Sequence, residues 1–398
     1  MMPNNKTQIK ELLQRGVEHI FDREHLEKRL LSGKKLRIKY GIDPTGPSIH
    51  LGRAASLWKL RDFQDTGHKA VIILGDFTVR IGDASDKQAM RRIPTRQESE
   101  EYAKKYQNQL AKILDLHRAE IRYNSEWLSC LRADELLGLA EHFTAQQMVQ
   151  RRNFKERWEA GRPIGLQETF YPLLQGLDSK AVKADLEIGG SDQLFNLQIG
   201  REVQRLYRQE PQDIMTLRML VGTDGRKMST SWGNFITVLD SPKDQLGKIM
   251  ALKDELLGEY LELCSRLPAS EIMRLRNLLA AKRVNPIEVK LLLGKKIVEL
   301  YHGTKAAAAA AKEFERVFRQ KRMPSDMRKF KARQKRMNLT DLLVETKCAI
   351  SKSEARRVIQ QKGVKIDGVV HDDWKEEVAL KSGAVLKVGK KKFVKIAI

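Results

Sequence analysis

Short apolar runs alternate along the chain with longer stretches in which apolar residues recur every three or four positions, a pattern that predicts strands leading into helices and back. After an opening helix, LRIKYGID reads as a strand, SIHLGRAASLWKLRDFQDTGH as a helix closed by Gly67, and KAVIILGDF as a wholly apolar buried strand. Strand, helix and strand in that order make a βαβ crossover. Strands of the same kind recur at DLEIGG and DIMTLRML with helical patterns between them, so a parallel α/β sheet is expected. From Ser241 to about Gln320 the pattern is helical throughout, through PKDQLGKIMALKDELLGEYLELC and the alanines Ala306 to Ala311, which predicts an all-α domain. The remainder, NLTDLLVETKCAISKSEARRVIQQKGVKIDGVV, predicts two short helices and then strands, with Lys362-Gly363 and Asp367-Gly368 as turns. That is a small α+β module.

Composition adds limits. With 398 residues, 41% hydrophobic and 31% charged, two or three domains with their own cores are expected. No run approaches the roughly 18 apolar residues of a membrane span, and MMPNNKTQIK lacks the apolar stretch of a signal peptide, so a cytoplasmic protein is expected. Cys130, Cys264 and Cys348 are isolated, without a CxxC pair or a Cys/His cluster at zinc spacing; neither a disulfide framework nor a metal site is expected. The net charge is +23, and the segments Arg316 to Arg336 and Met337 to Ile398 together carry +14 of it. Such a concentration points to phosphates, hence to a nucleic-acid partner. For RQKRMPSDMRKFKARQKRM alone, a solvated linker is an equal reading, and its Met-Pro-Ser marks a domain boundary.

Two segments carry candidate chemistry. In YGIDPTGPSIHLGR, residues 40 to 53, a strand ends, a Gly/Pro turn follows and a helix opens near Ser48, and a helix N-terminus at the carboxyl edge of a parallel sheet suits a phosphate. His50 and Arg53 lie one turn apart, and Gly52 lets a flat ring approach the backbone. Alone, such a histidine is more often a cap or a core residue. The second segment, GRKMSTS from Gly225 to Ser231, is a short basic loop able to close over a triphosphate; it is not a P-loop, and alone it would read as a solvated turn.

Together, HLG at the first crossover and KMSTS on the same α/β domain resemble the two signatures of class I aminoacyl-tRNA synthetases. The likeness narrows to the bacterial tyrosyl-tRNA synthetases with a C-terminal S4-like RNA-binding module, through YGIDPTGPSIHLG, GDFTVRIGD, RYNSEWL, FYPLLQGLDS, IGGSDQLFN and DGRKMSTSWGN. It implies a Rossmann-like catalytic domain over residues 1–235, a helical anticodon-binding domain over 236–320, a basic linker over 321–336 and an S4-like domain over 337–398. It places Asp83, Tyr171 and Gln175 around the α-ammonium of tyrosine, Gln193 near its carboxylate and Asp178 at its phenol. For ATP it implies Gly41, Asp43, Thr45, His50, Gly52, Gly190, Asp192, Lys227, Met228, Ser229 and Ser231. His50, Arg53, Lys227 and Thr230 are the implied catalytic group, with Mg-ATP as substrate and no tightly bound cofactor. Lys352, Arg356, Arg357 and Lys362 are implied to touch tRNA phosphates, and a homodimer away from any membrane is implied. The spacing has its own logic: residues 171, 175 and 178 fall at i, i+4 and i+7, aligning a phenol, an amide and a carboxylate on one helical face.

The likeness has departures. Arg53 stands where the first signature usually has a second histidine, and Thr230 where the loop usually has a second lysine. Lys39 occupies the place of a second phenol-binding tyrosine, with Tyr40 one residue on and Leu177 where a tyrosine is usual. Whether Lys39, Tyr40 or water completes the phenol site is open at this point. The competing readings are a tryptophanyl enzyme, which has no use for Asp178, another HxGH-type nucleotidylyl transferase, and a non-catalytic RNA-binding relative with the same fold.

Overall fold

Six strands make one sheet in the order β1-β6-β5-β2-β3-β4: β1 Val17–Phe21, β2 Arg37–Ile42, β3 Lys69–Leu74, β4 Glu120–Tyr123, β5 Leu186–Gly190 and β6 Asp213–Leu217. All neighbours are parallel except β1, which runs antiparallel to β6. The fold is that of a computed structural model describing residues 6–83, 95–226, 228, 232–319, 327–332, 334–389 and 392–398, the side chains at 96, 152, 318 and 319 excepted. In β3 every residue after Lys69 is buried, as a parallel strand covered on both faces requires.

The first crossover helix is Leu51–Asp65 rather than one opening near Ser48. His50 is held extended by main-chain bonds of its neighbours to the segment after the basic loop: Leu51 N donates to Ile236 O (2.8 Å) and Val238 N to Ile49 O (3.0 Å). His50 is therefore the cap. Leu51, Ala54, Leu57, Leu60 and Phe63 form the buried stripe, and Gly67, at φ +92°, permits the reversal into β3. On the other face of the sheet, the helix Leu166–Val182 packs against Leu194–Leu206. Gly176 and Gly200 allow that approach; a Cβ on Gly176 would stand 2.6 Å from Val203 Cγ2.

The predicted helical region consists of Pro242–Met250, Leu257–Cys264, Ala269–Ala280, Pro286–His302 and Thr304–Phe314. Its Ile249, Leu261, Leu293 and Tyr301 belong to the same apolar cluster as Leu57 and Leu60, so the boundary expected at residue 235 lies inside one compact unit, 1–310.

The second unit, 311–398, has its own core of Leu342, Leu343, Ala355, Ile359, Leu386 and Ile396. Two helices, Leu339–Glu345 and Lys352–Gln360, accompany strands β7 Arg328–Lys331, β8 Arg336–Asn338, β9 Val364–Ile366, β10 Val369–His371, β11 Glu377–Ala379, β12 Val385–Val388 and β13 Lys392–Ala397. The sheet order is β10-β9-β12-β13-β7, with β11-β8 as a separate pair. Part of the expected linker 321–336 is thus sheet: β7 runs parallel to β13. The basic side chains there are compatible with a strand because the backbone makes the ladder while Phe330 packs on the core.

Candidate active site

The carboxyl ends of β2, β3 and β5 carry the site. Asp43 follows β2, and its Oδ2 accepts the Tyr171 hydroxyl (3.0 Å) while Oδ1 accepts Thr78 Oγ1 (2.9 Å). Burial pushes the Asp43 carboxyl up to about 7, the Thr78 hydrogen bond opposing it. Gly75 makes this cluster possible, since a Cβ there would lie 1.9 Å from Asp43 Oδ1. Asp43 therefore borders the Leu166–Val182 helix as well as the segment 40–53.

Asp83 forms an ion pair with Arg151, and its Oδ2 accepts Gln193 Nε2 at 2.7 Å. Asn196 Nδ2 donates to Gln175 Oε1 (2.9 Å) and Gln193 Oε1 (3.1 Å), and Gln175 Nε2 donates to Glu187 Oε1 (3.0 Å). The residues expected at the amino end are thus brought together, Tyr171 through Asp43 and Gln175 through Asn196.

Asp178 is 4% exposed. Trp127 Nε1 donates to its Oδ1 (2.9 Å) and Asn124 Nδ2, more weakly, to its Oδ2 (3.4 Å). Burial raises the carboxyl to about 7, with the nearby Lys39 charge and the Trp127 bond pulling the other way. Trp127 and Asn124 received no role in the sequence reading, although both lie in the RYNSEWL stretch.

Lys39 is fully buried, and its ammonium is occupied by Gln175 O (2.9 Å), Ser179 Oγ (2.7 Å) and Glu187 Oε1 (2.9 Å). Three donors meet three acceptors, leaving none for a phenol. Strand alternation turns Tyr40 to the opposite face, toward the Leu51–Asp65 helix that carries Arg53 and Ser56. Neither residue completes the phenol site.

At the nucleotide end, His50 Nδ1 accepts the Arg53 N–H (3.3 Å), which leaves the ring proton on Nε2. Burial, with Arg53 adding to it, lowers His50 to about 3, so the imidazole is neutral at pH 7. Cap and candidate ligand are one residue. The Arg53 guanidinium donates to Asp43 O (3.1 Å), Tyr106 Oη (2.9 Å) and Thr45 Oγ1 (3.1 Å), tying the helix to the turn before it. Met228 Sδ would stand 3.3 Å from a Cβ on Gly52, so the second segment lies against the first. Lys227, Ser229, Thr230 and Ser231 fall outside the described residues. The flanks of their loop are joined: Asn234 Nδ2 donates to Asp224 Oδ1 (2.8 Å), and Arg226 pairs with Asp224 while stacking 4.5 Å over the Trp232 ring. Gly41 is exposed near the end of β2, and Gly190 and Asp192 lie where β5 passes into the turn Ser191–Gln193.

In the second unit, Lys352 pairs with Asp341 (2.7 Å), Arg356 lies 4.3 Å over the Trp374 ring and Lys362 is 3.8 Å from Asp372. Lys352, Arg356, Arg357 and Lys362 are all exposed, where ion pairs contribute little to stability.

The family model for class I tRNA synthetases (W and Y) matches residues 31–319, and that for the tyrosine–tRNA ligase SYY-like C-terminal domain matches residues 318–396. The tyrosine–tRNA ligase of Thermotoga maritima is 43% identical over 398 residues, covering 100% of this chain and 98% of the relative. That of Moorella thermoacetica is 44% identical over 390 residues, covering 97% and 94%. The tyrosyl-tRNA synthetase of Archaeoglobus fulgidus, solved with L-tyrosine, has a TM-score of 0.64 at 24% identity over 77% of this chain and 100% of that one. A C-terminally truncated mitochondrial tyrosyl-tRNA synthetase from Aspergillus nidulans has a TM-score of 0.65 at 21% identity, covering 79% and 95%. At those identities the two structures speak for the fold.

Proposed function

The chain belongs to the class I tyrosine–tRNA ligases, and from that membership we propose how its residues divide the reaction. The enzyme activates L-tyrosine with ATP to tyrosyl-adenylate and pyrophosphate, then transfers tyrosine to the 3′ end of its tRNA. In the reading advanced here, Asp83, Tyr171 and Gln175 receive the α-ammonium, Gln193 lies near the carboxylate and Asp178 accepts from the phenol. Gly41, Asp43, Thr45, His50, Gly52, Gly190 and Asp192 hold ATP together with Lys227, Met228, Ser229 and Ser231.

The tyrosine carboxylate attacks the α-phosphorus in line, so no enzyme nucleophile is needed. Catalysis comes from placing the reactants and from stabilising charge that grows on the phosphates. His50 contributes a neutral Nε2–H donor, Arg53 and Lys227 contribute fixed positive charge, and Thr230 contributes a hydroxyl. Mg2+ enters with ATP as part of the substrate. The observation that carries this reading is the main-chain pairing of Ile49–Leu51 with Ile236–Val238, with Met228 set against Gly52, because it makes one site of two distant segments.

Lys352, Arg356, Arg357 and Lys362 are proposed to position tRNA through its phosphates. A homodimer is proposed too; the apolar side chains Leu137, Trp158 and Leu166, exposed by 64%, 67% and 75%, are surface a second copy could cover. The cytoplasm, where tRNA is charged, is the proposed compartment.

The test is ATP–pyrophosphate exchange with tyrosine, phenylalanine and tryptophan offered separately. Exchange with tyrosine alone is expected. Exchange driven equally by tryptophan would reject the phenol-site reading, and none with any amino acid would reject the catalytic one.

A further inference from the structure

Arg151 follows the helix Ala145–Val149 and precedes Arg152–Glu159, and its side chain is only 3% exposed. Its Nη2 pairs with Asp83 Oδ1, while Nε and Nη1 are buried without a hydrogen-bond partner among the described residues. Leaving two donor nitrogens of a buried guanidinium unmet is expensive, because each has given up water and the Phe154 ring, 5.6 Å from the guanidinium, replaces no hydrogen bond. Nothing in the tyrosine-binding reading uses this residue.

The planar guanidinium sets both unmet nitrogens beside the one that holds Asp83. Asp83 is also bound by Gln193 Nε2 through its other oxygen, at 2.7 Å. An α-amino acid carries its ammonium and carboxylate on one carbon. A substrate with its ammonium on Asp83 therefore brings its carboxylate within a few ångströms of Arg151.

We propose that Arg151 receives the α-carboxylate of tyrosine, so that Asp83 and Arg151 form a receptor for the amino acid zwitterion. This rests on the reading of Asp83 as the ammonium acceptor. Charges alternate around the receptor: guanidinium, Asp83 carboxylate, substrate ammonium, substrate carboxylate. The carboxylate loses its charge when it becomes the acyl group of the adenylate, so Arg151 favours the bound substrate over the transition state. Its removal raises KM for tyrosine and leaves kcat unchanged or higher.

The test compares the binding of tyrosine with that of tyrosinol, which keeps the phenol and the ammonium and lacks the carboxylate. Arg151→Gln is expected to weaken tyrosine by about 10- to 100-fold, the worth of a charged hydrogen bond, and to leave tyrosinol within about threefold. Equal weakening of both ligands, or no change in either, overturns the proposal. If Arg151→Gln does not fold, Arg151→Lys carries the same comparison: a smaller loss confined to tyrosine is expected, and an equal loss overturns it. Asp83→Asn separates the premise from the inference. Loss of both ligands in Asp83→Asn without a tyrosine-selective loss in Arg151→Gln overturns the Arg151 role alone, whereas unchanged binding of both in Asp83→Asn overturns the Asp83 reading and the inference with it.

Discussion

Selectivity for tyrosine over phenylalanine should depend on pH through one buried carboxyl. Asp178 is 4% exposed, with Trp127 Nε1 2.9 Å away and Asn124 Nδ2 at 3.4 Å as its donors, and burial raises it to about 7. Above that pH the carboxylate accepts the phenol of tyrosine, whereas phenylalanine leaves a buried charge short of a partner. Below it the neutral acid faces either ring, and its desolvation is far cheaper. The ratio of kcat/KM for the two amino acids in pyrophosphate exchange should therefore fall by about tenfold per pH unit as pH drops from near 7 toward 5, until the acid form's own preference sets a floor.

Asp43 is also raised to about 7 and is distinguished from Asp178 by substitution. It is joined to Asp178 only indirectly, through Thr78 and Asn124, so a pH dependence that survives in Asp178→Asn belongs to Asp43 and one that disappears belongs to Asp178. Tyrosyl-tRNA synthetases are themselves the standard example of such discrimination, about 10⁵ against phenylalanine, a figure taken from that class rather than worked from this site. Asp178→Asn should flatten the pH dependence and reduce the ratio. A ratio that is constant from pH 5.5 to 8.5, or wild-type selectivity in Asp178→Asn, refutes the argument.

Three further outcomes are expected. Lys227→Ala should lower the rate of activation with little change in tyrosine affinity, read by pre-steady-state adenylate formation; a pure rise in KM contradicts its role on the leaving pyrophosphate. Lys39→Met leaves Glu187, 1% exposed, with its charge uncompensated, and should destabilise the fold by about 3–5 kcal/mol in denaturant titration; an unchanged midpoint would show the pair to be dispensable. Ending the chain after residue 319 should leave pyrophosphate exchange near its full rate and weaken tRNA charging, with the difference between full-length and shortened enzyme shrinking at high salt; equal damage to both activities contradicts that division.

Local pattern was enough to read the elements around the site. The run KAVIIL is a buried parallel strand whatever surrounds it, because its only apolar partners lie on both faces of a sheet. Tyr171, Gln175 and Asp178 share a face because a helix repeats every 3.6 residues. The basic tail reads as a second unit because charge is additive along a chain, though its strand β7 was hidden among lysines and arginines whose side chains say little about backbone pairing.

What the amino-acid order by itself determined was the βαβ start, the helical middle, the small α+β end and the two motif-bearing segments, at residues 40–53 and 225–231, proposed to share one nucleotide. Only tertiary packing decided which partners those residues meet. Lys39 and Tyr40 are neighbours in sequence, yet they face opposite sides of β2, one held by Glu187 and the other turned toward the Leu51–Asp65 helix. The Trp127 N–H on Asp178, the Tyr171 hydroxyl on Asp43 and the Arg151 ion pair to Asp83 join residues 51, 128 and 68 positions apart. Periodicity says which way a side chain points from its own element, but a hydrogen bond between elements depends on how those elements are stacked, and stacking is settled by the whole core.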